Sequence, residues 1–163
     1  MSSPEELAAI ARGIVDANLY MVLGTVGEDG RPWVSPVFYA TGDYTRFYWT
    51  STPEARHSRN LARRPDISVV IFDSQVPAYT GQGVYMSAVA EELSGDDLDR
   101  GLEVYPGAAG RGARALAAEE LRPPAPFRLY RATASEHSIL CPSPARPCPV
   151  HGVAGDHRVD VTM

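Results

Sequence analysis

The sequence predicts a mainly-β domain: a six- to seven-stranded, antiparallel, Greek-key-like β-barrel with peripheral helices. Three observations predict it. Short stretches rich in β-branched and aromatic residues recur along the 163 residues, each bounded by turn residues. Two of them are joined through Glu28-Asp29-Gly30, and Asp-Gly is a strong hairpin signal. The helical patterns are four and short, which suits covers over a barrel's ends better than a helical layer.

Composition narrows the function classes. At 163 residues the chain reads as a single domain, 1–163, and 44% apolar residues suffice for a core. Net charge is −5, so a nucleic-acid partner, held mainly by phosphate neutralisation, is disfavoured. No run approaches the 18 apolar residues of a membrane span. The first residues carry neither a basic segment nor a continuous apolar core, so no signal peptide is expected and the expected location is cytoplasmic.

Taken in order, residues 1–18 begin with Ser3-Pro4-Glu5-Glu6, a capping box with Pro at the first helical position. Leu7, Ile10, Ala11, Ile14 and Val15 follow at helical spacing. Residues 19–93 form the expected barrel core. Leu19 to Val26 and Pro32 to Ala40 read as a hairpin, continued by Thr45 to Thr50 as an antiparallel meander. Pro36 cannot donate to a ladder, so its strand belongs on an edge or at a bulge. Ile67 to Phe72 and Val84 to Leu93 are the next strands. Residues 94–122 read as a helical cover, with helices at Asp96 to Tyr105 and Ala108 to Leu121. Residues 123–140 carry Phe127 to Ala134 as a strand, which His137 to Leu140 extends after a bend. Seven of the 14 prolines lie between Pro123 and Pro149. Residues 141–163 therefore read as a loop or extended excursion, with Asp156 to Thr162 returning as a short strand.

The stretch from 47 to 73, FYWTSTPEARHSRNLARRPDISVVIFD, organises the rest. It reads as strand, turn, basic helix, breaker, strand. Ser51-Thr52-Pro53-Glu54 supplies a helix start, with a capping box between Ser51 and Glu54. Arg56, Arg59, Arg63 and Arg64 place four of 15 basic residues within nine positions of an acidic chain. A helix N-terminus, the hydroxyls of Thr50, Ser51 and Thr52, and the fork of Arg56 beside His57 describe an anion site. A solvated basic face is the plainer reading of the same charges.

Four segments in this order resemble the pyridoxamine 5′-phosphate oxidase-like family of flavin-binding split β-barrels: LYMVLGTVGEDGRPWVSPVF, FYWTST, ARHSRNLARRPDISVVIFD and GQGVYMSAVAEEL. The resemblance implies FMN as cofactor, with the deazaflavin coenzyme as the alternative. It implies that residues 33–38, WVSPVF, run along the flavin ring, with Val34, Ser35, Pro36 and Val37 nearest. Trp49, Thr50 and Ser51 would lie at the strand end that meets the ring and phosphate. Arg56 and His57 would grip the phosphate, although the second of that pair is usually Lys. Asn60 and Arg59 are further candidates one turn on. The ring-binding Gln of the family falls at Gly83, one place after Gln82. A homodimer with cofactor sites at its interface is implied as well. The family's substrate-phosphate motif has only His157-Arg158 as its counterpart. The implied activity is therefore that of a small relative, an oxidoreductase acting on another small molecule by hydride transfer through the flavin.

No side chain declares itself as a catalytic acid or base. A flavin- or haem-binding protein without turnover is the reading from a different class, with His57 or His137 as candidate axial ligands. The tail adds Cys141, Cys148, His151 and His157, in C-x6-C-x2-H-x5-H spacing. Two Cys and two His are a structural zinc set. The first spacing is wider than usual, and four prolines suit a plain loop, so free thiols in a loop are the expectation and zinc is the alternative.

Overall fold

The computed structural model describes residues 3–163. Helix α1, Pro4–Ala17, starts as its residues dictate. The Glu6 N–H donates to Ser3 Oγ, and the Ser3 N–H donates to the Glu6 carboxylate. Its apolar stripe buries Ala8, Ala11 and Val15 against the sheet.

Eight strands make one curled antiparallel sheet. They are β1 Tyr20–Val26, β2 Pro32–Phe38, β3 Ala40–Thr41, β4 Arg46–Ser51, β5 Asp66–Phe72, β6 Gly83–Glu92, β7 Arg128–Leu140 and β8 Arg158–Asp160. Their order is β2-β1-β5-β6-β7-β4-β3, with β8 also on β7. This is a split β-barrel, mainly β with helices at its periphery. Residues facing inward alternate with outward ones, as in β5, where Ile67, Val69 and Ile71 are buried between exposed or half-buried neighbours.

The expected meander from β1 through β2 to β4 is not there. Strand β2 pairs only with β1, and β3 and β4 lie at the far edge of the sheet. The chain passes from one edge to the other across Tyr39 alone. That residue is pinned three ways. Its N–H donates to the Leu19 carbonyl at 3.2 Å, and its hydroxyl donates to the Val15 carbonyl at 2.6 Å. Its own carbonyl accepts from Arg111 at 3.2 Å. Burial pushes the Tyr39 hydroxyl pKa up to about 12, even though Arg111 beside it works in the other direction. Alternating hydrophobicity reads as one strand on either side of Tyr39, and only the closure of the sheet reveals the change of edge.

Helix α2, Arg56–Arg63, starts later than Ser51-Thr52-Pro53-Glu54 predicts, and its N-cap, Ala55, makes no side-chain cap bond. Ser51 is claimed by the ladder instead, paired with Arg128 of β7. Helix α3, Gly95–Leu102, is the predicted cover. Gly101 lets it sit on β7: a Cβ there would lie 2.7 Å from Leu129 Cδ2. The second predicted cover helix is reduced to a 3-10 turn at Ala118–Leu121. Gly107, Gly110 and Gly112 have φ near +90°, which no α-helix accommodates. The predicted break between Ala134 and His137 is a continuous strand. Its register shifts between Ser87 and Ala88, leaving Ser135 without a partner.

The core lies between α1 and the concave face of the sheet. Trp49, Tyr39, Tyr130 and Phe47 are its largest members, and Trp49 stacks on Tyr130 with centroids 5.6 Å apart. Among the described residues no helix is long and apolar enough to cross a membrane.

Candidate functional site

The first half of the site is where α2 meets the β1–β2 hairpin. Asn60 and Thr25, both buried, fasten the two together. Asn60 Nδ2 donates to Thr25 Oγ1 at 3.0 Å, and that hydroxyl donates to the Trp33 carbonyl at 3.3 Å. Trp33 in turn donates from Nε1 to Ser35 Oγ at 2.9 Å. Over the Trp33 ring lies Arg56, its guanidinium carbon 4.2 Å from the centroid. A cleft of about 650 Å³ opens here, lined by Gly27, Glu28, Pro53, Arg56, Arg59 and Arg63 among others.

The basic residues of α2 are not equivalent. Arg63 pairs with Glu28, and Arg59 donates to the Glu54 carbonyl. Arg56 has no acidic partner among the described residues, so its fork remains available to an anion. His57 points to the other side of the helix start, where its Nε2 lies 2.9 Å from Ser51 Oγ. Burial lowers its pKa, which favours the neutral imidazole. Thr50 pairs with the Tyr105 hydroxyl at 3.1 Å.

The second half is the edge strand β2. Val34 and Pro36 face outward, and Ser35 is half-buried. Pro36 sits where its missing N–H costs least, on a strand with one neighbour only, and the ladder to β1 runs past it without a bulge. The outer face continues as a groove of about 440 Å³ over Val22, Gly24, Ser68, Tyr85 and Ser87.

The side chains of three expected site residues do not reach the Arg56 cleft within one chain. The Trp49 side chain is fully buried against Tyr130, so only its backbone can face a ligand. Val37 likewise turns its side chain into the core. Gln82 lies at the opposite end of the sheet from Arg56. Its neighbour Gly83 pairs with Phe72, whereas the end near α2 is marked by Asp66 paired with Val89. Gln82 Nε2 donates to the Leu140 carbonyl, and its buried Oε1 has no protein partner. Thr25 and Tyr105 were not legible as residues of this region, whereas Trp33 opens the stretch 33–38 that the resemblance sets along the ring.

The two candidate haem ligands are both engaged. His57 meets Ser51, and His137 Nε2 lies 2.8 Å from the Tyr44 carbonyl. In the tail the four Cys and His residues converge. Their ligand atoms all lie within 4.8 Å of one another. Burial opposes ionisation of the Cys148 thiol, but N–H donation from His151 and Val150 outweighs it and holds the pKa down at about 6.

These features define a split barrel with a cleft lined by basic residues beside an open edge strand. The family model for pyridoxamine 5′-phosphate oxidase matches residues 7–141, and the chain belongs to that family. Solved structures share the fold at low identity. A FAD-binding protein of Mesorhizobium loti superposes with a TM-score of 0.60 at 22% identity, over 81% of this chain and 92% of that one. A pyridoxinephosphate oxidase-family protein of Clostridium acetobutylicum, related to general stress protein 26 of B. subtilis, gives 0.61 at 14% identity, over 98% and 97%. A heme binding protein of Mycobacterium smegmatis gives 0.62 at 23% identity, over 98% of this chain but only 59% of that longer one. No curated protein matches the sequence.

Proposed function

We propose that this chain binds FMN and serves as an oxidoreductase on a small molecule, assembled as a homodimer whose two copies complete each cofactor site. The observation that carries the reading is Arg56: an arginine stacked on Trp33 at the mouth of a cleft, its guanidinium without an acidic partner among the described residues. A bidentate guanidinium suits a phosphate monoester. Along Val34 to Val37, half of the backbone polar groups of β2 point away from β1 and have no strand partner. A flat ring with its own donors and acceptors fits that edge. A bound flavin supplies the hydride chemistry, and the residues named here bind and orient it.

Two observations support the dimer. Gln82, with its unpartnered Oε1, is at the far end of the sheet from Arg56, so one chain cannot bring both to the same ligand. The outer face also exposes Tyr20, Val34 and Phe72, a run of apolar surface that a second copy would cover.

FMN is preferred over the deazaflavin coenzyme because Arg59 and Arg63, which a longer anionic tail would need, are already engaged. Haem is less well supported, since His57 and His137 both have hydrogen-bond partners. Pyridoxamine phosphate is not the proposed substrate. His157 belongs to the Cys/His cluster, and Arg158 lies over the Tyr85 ring at 3.7 Å.

The test is an absorption spectrum after incubation with excess FMN and passage through a desalting column. A retained two-band flavin spectrum is expected. A colourless protein overturns the reading.

A further inference from the structure

We infer that Cys141, Cys148, His151 and His157 form a structural zinc site that closes the excursion between β7 and β8. The four residues come from three places in the chain. Cys141 directly follows β7, and His157 directly precedes β8. The ladder between those strands continues through them, the Cys141 N–H donating to the His157 carbonyl at 2.9 Å. Cys148 and His151 come from the loop between, on a tight turn. The Gly152 N–H donates to the Cys148 carbonyl at 2.8 Å, and Gly152 takes φ +70°. The wide C-x6-C spacing therefore loses its force as an objection. It is the length of loop that carries Cys148 back to the end of β7.

Four of the six ligand separations lie within about 0.4 Å of a tetrahedron's, and all six are within 4.8 Å. With Zn–S near 2.3 Å and Zn–N at about 2.0–2.1 Å, tetrahedral geometry sets S···S, S···N and N···N at about 3.8, about 3.6 and about 3.3 Å. The two sulfurs are 3.8 Å apart. His151 Nδ1 lies 3.7 Å from Cys141 Sγ and 3.4 Å from Cys148 Sγ. His157 Nε2 lies 3.0 Å from His151 Nδ1.

The surroundings orient two of the ligands. His157 Nδ1 lies 3.1 Å from the Gly155 carbonyl, so it carries the proton and leaves the Nε2 lone pair facing the cluster. The backbone N–H groups of Val150 and His151 donate to Cys148 Sγ and fix its position in the cluster. Arg146 braces the loop on Asp156 at 2.8 Å. Four protein ligands leave no open position, so the role is structural, not catalytic. The loop then becomes one wall of a cleft of about 810 Å³ against the first turns of α1, through Pro142, Pro149 and Val150. Thiolate and imidazole donors select Zn²⁺ over the oxygen-seeking divalent ions.

The full-length protein, reduced and loaded with Zn²⁺ or Co²⁺ and then desalted, tests this. One metal ion per chain is expected. The Co²⁺ form should show intense visible bands of tetrahedral cobalt and a near-ultraviolet sulfur-to-metal band. Cys148→Ser and His157→Gln should each lose the bound equivalent while far-UV circular dichroism keeps the barrel signature. Absence of retained metal, a weak octahedral cobalt spectrum, or full retention by Cys148→Ser in a folded protein would each overturn the assignment. None of these readouts depends on flavin binding.

Discussion

The guanidinium of Arg56 lies 4.2 Å from the ring centroid of Trp33, across the gap between α2 and the β1–β2 hairpin. The stacking holds a flexible side chain over the cleft without using any of its five donors. Arg56 is thereby preorganised for an anion, whereas Arg63, on Glu28, is not. Replacing Arg56 with Ala removes a charge-assisted contact worth about 1.5–3 kcal/mol, or about 10- to 100-fold in FMN affinity. Quenching of flavin fluorescence on titration measures it. An unchanged dissociation constant would remove the phosphate assignment.

Trp49 separates the core from the site. Its side chain is fully buried on Tyr130, so Trp49→Ala should cost about 3–5 kcal/mol of stability. Trp49→Phe keeps most of that packing and loses only an indole N–H that has no partner. The folded Trp49→Phe protein should bind FMN as the parent does. A folded variant with impaired binding would mean that the indole reaches the cofactor.

Asn60 acts through Trp33 and Thr25. Asn60→Ala leaves α2 without its buried tie to β1, at a cost of about 1–3 kcal/mol. For a chain of this size the melting temperature should fall by about 2–4 °C per kcal/mol. FMN affinity should weaken as well, because Arg56 loses its fixed distance to the hairpin. Unaltered melting would show that the bond contributes nothing net.

Burial lowers the pKa values of both His57 and His137; for His137 the Tyr44 carbonyl works weakly against it. The unfolded chain protonates these imidazoles near the ordinary value of 6.5, while the folded chain keeps them neutral to lower pH. Stability from this source is complete above 6.5, declines as pH falls towards the folded values, and then levels off. Denaturant midpoints measured from pH 7.5 downward should trace that decline, and the His57→Gln, His137→Gln double variant should flatten it. A parent protein with no slope in this window would contradict the burial argument.

The outer face predicts association. The native mass in sedimentation should be twice 17.6 kDa, and Tyr20→Arg should shift it towards the monomer and weaken FMN binding together. A monomeric parent that holds FMN would show that one chain builds the whole site.

Local patterns made most elements legible. An apolar run marked β5, flanking turns marked β6, alternation marked β7, the Ser3–Glu6 box marked α1, and Pro36 marked an edge strand, because each signal is a property of neighbouring residues. The order of segments also pointed to the family, which residues 7–141 bear out. The failures share one cause. Ser51 looked like a helix cap and Ala108 to Leu121 like a helix. The first is held by its pairing with Arg128 and the second is broken by left-handed glycines.

By itself, the sequence determined which residues could form strands, where turns had to fall, and that a basic helix would follow an aromatic strand. Only the tertiary structure decided that β2 and β3 occupy opposite edges, that Trp49 faces the core, and which arginine of α2 stays unpaired. It also decided that Cys141, Cys148, His151 and His157 meet. The reason is physical: alternation and capping act over a few residues, whereas sheet closure and the convergence of side chains depend on segments far apart in the chain.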